Sequence, residues 1–344
     1  MPERLSAVLP LKIFGLDYIE NLARCDILFS SLRKYAAELL VEIFVVVTAR
    51  EEEVIREKLS IWNDLPLSII NEDDLVPAFG RFGRVNGWLK QQIIKLSVAD
   101  YVSTDYFLTL DADVILCKPM TATNIFVGGK SILEAEPRCS HPSWWVGSAT
   151  MLGIPSDLQR PGMSVTPAIL SRTVCRQLHH DLRARYRCDW TVALLNKPTL
   201  GWTEYTLYYL TAERHGLLDV YHVLPECGKT RLFCRSKVWL VEQWANWDAA
   251  ACFGLEDPGL FTIVQNSTHV SPAEIRCRLV GRLSVPRDLH VNPRLWTRAL
   301  TEDVIKRIIC FLGSPRALAS KLVRKFKRIF RSSFSILASH RAKS

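Results

Sequence analysis

The chain has 344 residues, 48% hydrophobic and 23% charged, a globular balance that excludes wholesale disorder. Its net charge is +9, yet nine Lys/Arg and no acid fall between Gly313 and Ser344, so the other 35 bases balance 35 acids over the rest. That asymmetry predicts a neutral body with one basic appendage, and speaks against a nucleic-acid enzyme, which spreads a basic stripe over its folded domain.

The first 120 residues alternate strand and helix signals. Ala7–Leu11 is a short apolar run, and Asp17–Ala37 follows with helical spacing of Leu22, Cys25, Ile27, Leu28 and Leu32. Glu42–Thr48 (EIFVVVT) is β-branched and nearly continuous, as a strand buried on both faces reads. Arg50–Asn63 is a charged helix, Leu67–Asn71 a strand, Gly87–Asp100 a helix and Tyr106–Leu110 a strand. Such alternation predicts an α/β fold with a mostly parallel sheet flanked by helices. In the second half, Ile132–Glu136, Ala149–Ile154, Val220–Leu224 and Leu260–Gln265 read as strands, and Pro167–Arg185 and Thr203–His215 as helices. Thr203 is the expected N-cap of the latter, Trp202 and Leu207 its hydrophobic staple, and Gly216 its end.

Ten cysteines include no CxxC pair, and no Cys/His cluster reads as a zinc site, so free thiols in a reducing compartment are expected. Glu3, Pro10 and the lack of a small-residue cleavage site do not make a signal peptide. No apolar run reaches the roughly 18–20 residues of a membrane span, so a cytoplasmic body is expected. Several of the ten tryptophans adjoin polar residues (Trp88, Trp144, Trp145, Trp202, Trp247), which fits either core packing or a platform for a sugar or base.

The sharpest local signal is the apolar strand YFLTL running into Asp111-Ala112-Asp113. In an open α/β sheet ligands bind beyond the carboxyl ends of the strands. Two carboxylates so close repel each other and call for a cation, and oxygen ligands suit Mg²⁺ or Mn²⁺ held with substrate phosphates. A turn in which both aspartates merely cap a loop is the competing reading.

The run GWLKQQIIKLSVADYVSTDYFLTLDADVILCKPM, residues 87–120, resembles metal-dependent glycosyltransferases of the A-type fold, in particular a bacterial family in which a GW-x-x-QQ-x-x-KL helix precedes a strand ending in D-x-D. The resemblance extends more weakly through GWTEYTLYY (201–209) and VQNSTHVS (264–271) and does not cover the tail. It implies that Asp111 and Asp113 bind a divalent metal, which binds the diphosphate of a nucleotide sugar, and that Asp111 also touches the donor. It places Pro10 and Lys12, after the first strand, near the nucleotide base.

Beside the D-x-D strand, the Gly87–Asp100 helix has Leu89, Ile93 and Leu96 on its apolar face, with Gln92 at the border and Lys90, Gln91 and Lys95 outside it. Gln91, Gln92 and Lys95 are candidates for phosphate and sugar oxygens, and Arg84, in FGRFGR, for the diphosphate. Glu204 opens a helix and, by the resemblance, deprotonates the acceptor hydroxyl; an acid in a first turn is also favoured by the helix dipole. Asp189 is a second candidate for that task. His269 is a candidate third metal ligand, as in some retaining members of the superfamily.

The expected organisation is one glycosyltransferase-like domain over 1–312, with a nucleotide- and metal-binding half (1–120) and an acceptor half (121–312), then a basic tail over 313–344. In the tail Leu318, Leu322, Phe326, Ile329, Phe330 and Leu337 recur at helical spacing among basic residues, so 316–337 reads as an amphipathic helix for an anionic membrane surface. The function these observations imply is sugar transfer from a nucleotide-diphosphate donor to a glycan or lipid-linked acceptor in cell-surface glycan assembly, on the inner face of the plasma membrane, with no nucleic-acid partner. The alternatives are a nucleotidyltransferase of related fold, for which LKIFGL after strand one lacks the usual Gly-rich loop, and a non-catalytic membrane-attached glycan-binding protein.

Overall fold

The structure is a computed structural model that describes residues 4–13, 18–82, 85–197, 201–224, 229–286 and 301. The chain divides into two units, Met1–Val291 and Asn292–Ser344. The amphipathic helix expected at 316–337 lies outside the described residues, as does Arg84.

The first half is β1 (Leu5–Pro10), α1 (Tyr18–Tyr35), β2 (Leu40–Val47), α2 (Glu52–Leu59), β3 (Leu67–Asn71), α3 (Glu72–Leu75), α4 (Gly87–Ser97) and β4 (Tyr106–Thr109). There follow β5 (Val114–Leu116), α5 (Ala122–Ile125), β6 (Phe126–Val127), β7 (Lys130–Ile132), β8 (Glu136–Pro137), α6 (Pro142–Leu152), β9 (Pro161–Gly162), β10 (Ala168–Ser171), α7 (Arg172–Tyr186) and α8 (Trp190–Leu195). The last elements are α9 (Glu204–Arg214), α10 (Leu218–Tyr221), β11 (His222–Val223), β12 (Arg231–Phe233), α11 (Ala249–Phe253), β13 (Gly259–Ile263) and α12 (Pro272–Leu279).

The main sheet has the order β10-β4-β1-β2-β3. Its four strands from the first half are parallel, and β10 joins antiparallel to β4. All six residues of β1 are buried, as a central strand covered by helices requires, whereas every residue of the edge strand β3 is half-buried. The main core lies between this sheet and α4, α6, α7 and α9, with Phe107, Ile93, Trp145, Leu178 and Tyr208 among its residues. A second sheet, β12-β13-β5, with α11 and α12 encloses a smaller core around Cys117, Trp247 and Ile275.

The chain leaves β1 towards β2 on one side and returns through β4 on the other. The crevice between the carboxyl ends of β1 and β4 is therefore a topological switch point, where open α/β sheets place their ligands. Leu110 continues the pairing past β4, its N–H donating to the Val8 carbonyl at 2.8 Å, so Asp111 leaves the sheet beside Pro10.

Two expected elements differ. Ala149–Ile154 is not a strand but the end of α6 and its exit, closed by Gly153 in the left-handed region at φ 67°. Pro167–Arg185 is not one helix: Ala168–Ser171 is the fifth strand of the main sheet and the helix begins at Arg172. Both errors arise in short apolar runs, where a buried strand and a buried helix have the same pattern. Ile132–Glu136 contains the ends of two separate strands, and Val220–Leu224 the end of α10 followed by β11.

Candidate active site

Asp111 and Asp113 are both half-buried at the carboxyl end of β4, and two different segments hold them. Asp111 faces α4: its Oδ1 lies 2.9 Å from Lys95 Nζ. Asp113 faces the segment after β13. Antiparallel pairing of β13 with β5 carries that segment back over the aspartate, so Val264 N–H donates to the Asp113 carbonyl at 3.1 Å and Asn266 N–H to Asp113 Oδ2 at 2.9 Å. Burial, then the neighbouring Asp111 charge, pushes the Asp113 carboxyl up to about 6.

Lys95 does not lie outside the apolar face as the helical reading expected. Its side chain is 4% exposed, with Nζ 3.2 Å from Glu204 Oε1 and donating to Thr166 Oγ1 at 2.8 Å. Burial by itself lowers the pKa of a lysine; here Asp111, Tyr205 and Glu204 outweigh it and hold the ammonium well above its ordinary range. The Tyr205 hydroxyl joins Thr166 Oγ1 at 2.6 Å and Thr109 Oγ1 at 2.8 Å, tying the network back to β4.

Glu204 begins α9, with Thr203 capping the helix as expected from the sequence. Its backbone N–H donates to Gln92 Oε1 at 2.8 Å, so Gln92 satisfies a free donor of the helix start and locks α9 to α4. The Glu204 side chain is only 3% exposed, and burial raises its pKa. Gln91, on the same helix as Gln92, is half-buried.

On the other side of the switch point, Pro10 is buried at the end of β1 and Lys12 is exposed. The Lys12 carbonyl accepts from Asn21 Nδ2 at 2.9 Å, and Asn21 Oδ1 accepts from Asn266 Nδ2 at 3.2 Å. Asn266 thus links the loop after β1 to Asp113. Arg24, 2% exposed on α1, pins the same segment by donating to the Val264 and Val270 carbonyls at 2.7 and 2.6 Å. Asn21, Arg24, Thr109, Thr166, Tyr205 and Asn266 were not foreseen. Three of them stand in runs that the resemblance covers, but nothing in the sequence says that those runs meet.

One candidate is placed elsewhere. The Asp189 carboxylate caps α8, accepting from Thr191 N at 2.9 Å, with Arg183 at 3.8 Å. His269 is exposed, three residues past Asn266 and at φ 59°. Among the described residues it does not converge with Asp111 and Asp113 into a three-ligand group.

An aromatic group continues the α4 face. Trp88, Gln92 and Lys95 are spaced i, i+4, i+7, so they line one side of the helix over about 10 Å of rise. Trp88 is 44% exposed, its ring 6.3 Å from that of Trp144, and His141 stacks on Trp144 at 4.1 Å.

Fold and site define an α/β protein with a carboxylate pair at the switch point of its main sheet, Asp111 braced by Lys95 and Asp113 by Asn266. The chain belongs to the family described as "family of unknown function (DUF6492)", whose model matches residues 2–283. No curated protein matches it in sequence. Similar solved structures include mouse xyloside xylosyltransferase 1 in its apo form, at 13% identity and a TM-score of 0.45 over 77% of this chain and 98% of that one. Others are the galactosyltransferase LgtC with donor and acceptor sugar analogues (11%, 0.44, 82% and 98%) and 4-diphosphocytidyl-2C-methyl-D-erythritol synthase from Anaerococcus prevotii (10%, 0.34, 67% and 90%). At these values the likeness concerns the course of the chain and says nothing of activity.

Proposed function

We propose that this chain transfers a sugar from a nucleotide-diphosphate donor to a hydroxyl acceptor. The observation that carries the reading is the Asp111/Asp113 pair leaving β4 at the switch point, directly beside the end of β1. A diphosphate approaching two carboxylates is repelled unless a cation stands between them. The two aspartates fit a hard divalent ion: both offer oxygen, and burial and then the Asp111 charge push Asp113 up, the two effects that a cation beside the pair offsets. Asp111 and Asp113 would hold Mn²⁺ or Mg²⁺, which when bound neutralises charge on the leaving diphosphate.

The chain's own groups do the rest. Lys95 fixes the Asp111 carboxylate and carries positive charge to the edge of the crevice. Glu204 is too buried to meet an acceptor hydroxyl in this arrangement; its part is to hold Lys95. The loop Pro10–Lys12, braced by Asn21, receives the nucleotide, and Gln91, half-buried on α4, would help to hold the donor. Asp189 is given no role, because its carboxylate caps α8; His269, three residues past Asn266, would supply a third ligand from the same segment. The acceptor approaches along the α4 face, where Trp88 and Trp144 offer aromatic surface to a sugar ring. A lipid-linked acceptor and attachment to the inner membrane face through 316–337 complete the reading.

The test is a thermal-shift panel of UDP, GDP, CDP, dTDP and their sugars with and without Mn²⁺. A ligand that binds the folded state raises its melting temperature by mass action. Metal-dependent stabilisation by one nucleotide, absent in Asp113→Ala, is expected, and Asp113→Ala should lose transfer. Normal turnover by folded Asp113→Ala would sink the mechanism.

A further inference from the structure

Cys117, Cys234 and Cys252 are distant in sequence and meet in the smaller core. Cys117 follows β5, Cys234 follows β12, and Cys252 lies in α11. β13 runs between the first two strands, and its Leu260 and Phe261 carbonyls accept the backbone N–H groups of Cys117 and Cys234, each at 2.7 Å. None of the three cysteines is more than 1% exposed. Asp257, in the turn before β13, is 5% exposed. The ligand atoms of Cys234, Cys252 and Asp257 lie within 4.8 Å of one another, and Cys117 packs in the same core cluster. The thiols donate to backbone carbonyls: Cys117 to Ile115 at 3.5 Å, Cys234 to Gly259 at 3.4 Å and Cys252 to Ser236 at 3.4 Å.

Buried thiols alone pack as small hydrophobes. The carboxylate is what sets this group apart, because a buried carboxylate beside sulfur invites a cation. Asp257 is also held in orientation: Oδ2 accepts from Arg235 N–H and Oδ1 from Gly259 N–H, both at 2.8 Å, as outer bonds orient a metal-ligating carboxylate.

We infer that Cys234, Cys252 and Asp257, with Cys117 as fourth ligand, bind a Zn²⁺ ion that ties β12, β13 and α11 to β5. With Zn–S near 2.3 Å and Zn–O near 2.0–2.2 Å, neighbouring ligand atoms of a tetrahedron stand roughly 3.5–3.8 Å apart. That lies inside the observed spread, so small side-chain rotations close the site. Cys117 turns furthest, since its sulfur is not within the 4.8 Å group. On binding, three S–H bonds give way to three Zn–S bonds and three protons leave to solvent. Three thiolates and a carboxylate around Zn²⁺ leave a charge of −2, half of which the neighbouring Lys118 ammonium offsets; it donates to the Cys252 and Gly259 carbonyls at 2.5 and 2.7 Å. The ion would clamp the strands that carry Asp113 and lead into Asn266, yet the inference stands apart from the proposed transfer reaction.

The test uses the full chain, purified without a polyhistidine tag or chelator, with metal content read by plasma mass spectrometry. About one zinc per chain is expected, released as a mercurial titrates the thiols. Cys234→Ser/Cys252→Ser should carry almost none, and Asp257→Asn should bind zinc at least about tenfold more weakly. Protein that purifies without zinc, and after reduction takes up none from a coloured zinc–chelator complex, overturns the inference whether or not the double variant folds.

Discussion

Lys95 touches two carboxylates and is almost fully shielded from water, so its charge is structural as well as chemical. Lys95→Met leaves Glu204 buried, and Asp111 half-buried, without their cation. Removing one partner of a buried pair costs about 3–5 kcal/mol, and that loss is expected in urea unfolding at neutral pH. Glu204→Gln in the same background should restore part of it by removing one of the two charges. An unchanged loss would mean that the two residues do not interact. His222 poses the opposite case. Its Nδ1 meets Ser131 Oγ at 2.8 Å and its Nε2 meets Tyr208 OH at 2.6 Å, a pattern that a neutral imidazole satisfies with one donor and one acceptor. Burial lowers its pKa to about 4. The unfolded chain therefore takes up this proton near pH 6.5, and the folded chain only near 4. Stability from this residue is complete above 6.5 and is lost as pH falls towards 4, by up to about 3 kcal/mol. Urea midpoints measured across that window should fall less steeply in His222→Gln than in the parent.

At the scale of elements, close approach of strands makes some positions intolerant. A Cβ on Gly259 would stand 2.1 Å from the Cys234 backbone nitrogen and 2.3 Å from its Cα, and backbone in a paired strand cannot move aside cheaply. Gly259→Ala is expected to cost about 3 kcal/mol or more, read as a lower urea midpoint or loss of soluble protein. A normal midpoint would show that β12 and β13 separate easily. The elements also show where sequence patterns stop. Helix α9 was legible down to its cap because Thr203, Trp202, Leu207 and Gly216 are local signals. Strand β10 was not, because Ala168–Ser171 is a strand only through its pairing with β4. The charged side of α4 was misread for a similar reason: a lysine looks solvent-facing until a partner helix brings it a carboxylate.

For the molecule as a whole, the family match ends at 283 and the first unit at Val291. A chain ending at 291 is expected to show the metal-dependent nucleotide shift proposed for the full chain. It should no longer sediment with vesicles containing an anionic lipid, since nine basic residues lie beyond Gly313. Equal sedimentation of both chains would move any membrane contact to the body. Among the described residues, no helix is long and apolar enough to cross a membrane.

Local chemistry determined a good deal by itself: the alternating first half, the strand that ends in Asp111-Ala112-Asp113, and the start of the helix at Glu204. Each depends on neighbours within a turn or a strand, so periodicity and capping suffice to read it. Tertiary structure alone decided the rest. It brought Asn266 to Asp113 across 153 positions and enclosed Lys95 between Asp111 and Glu204. It also gathered Cys234, Cys252 and Asp257, which no spacing rule connects. These contacts follow from strand order and helix docking, which depend on burial summed over the whole chain rather than on any local run of residues.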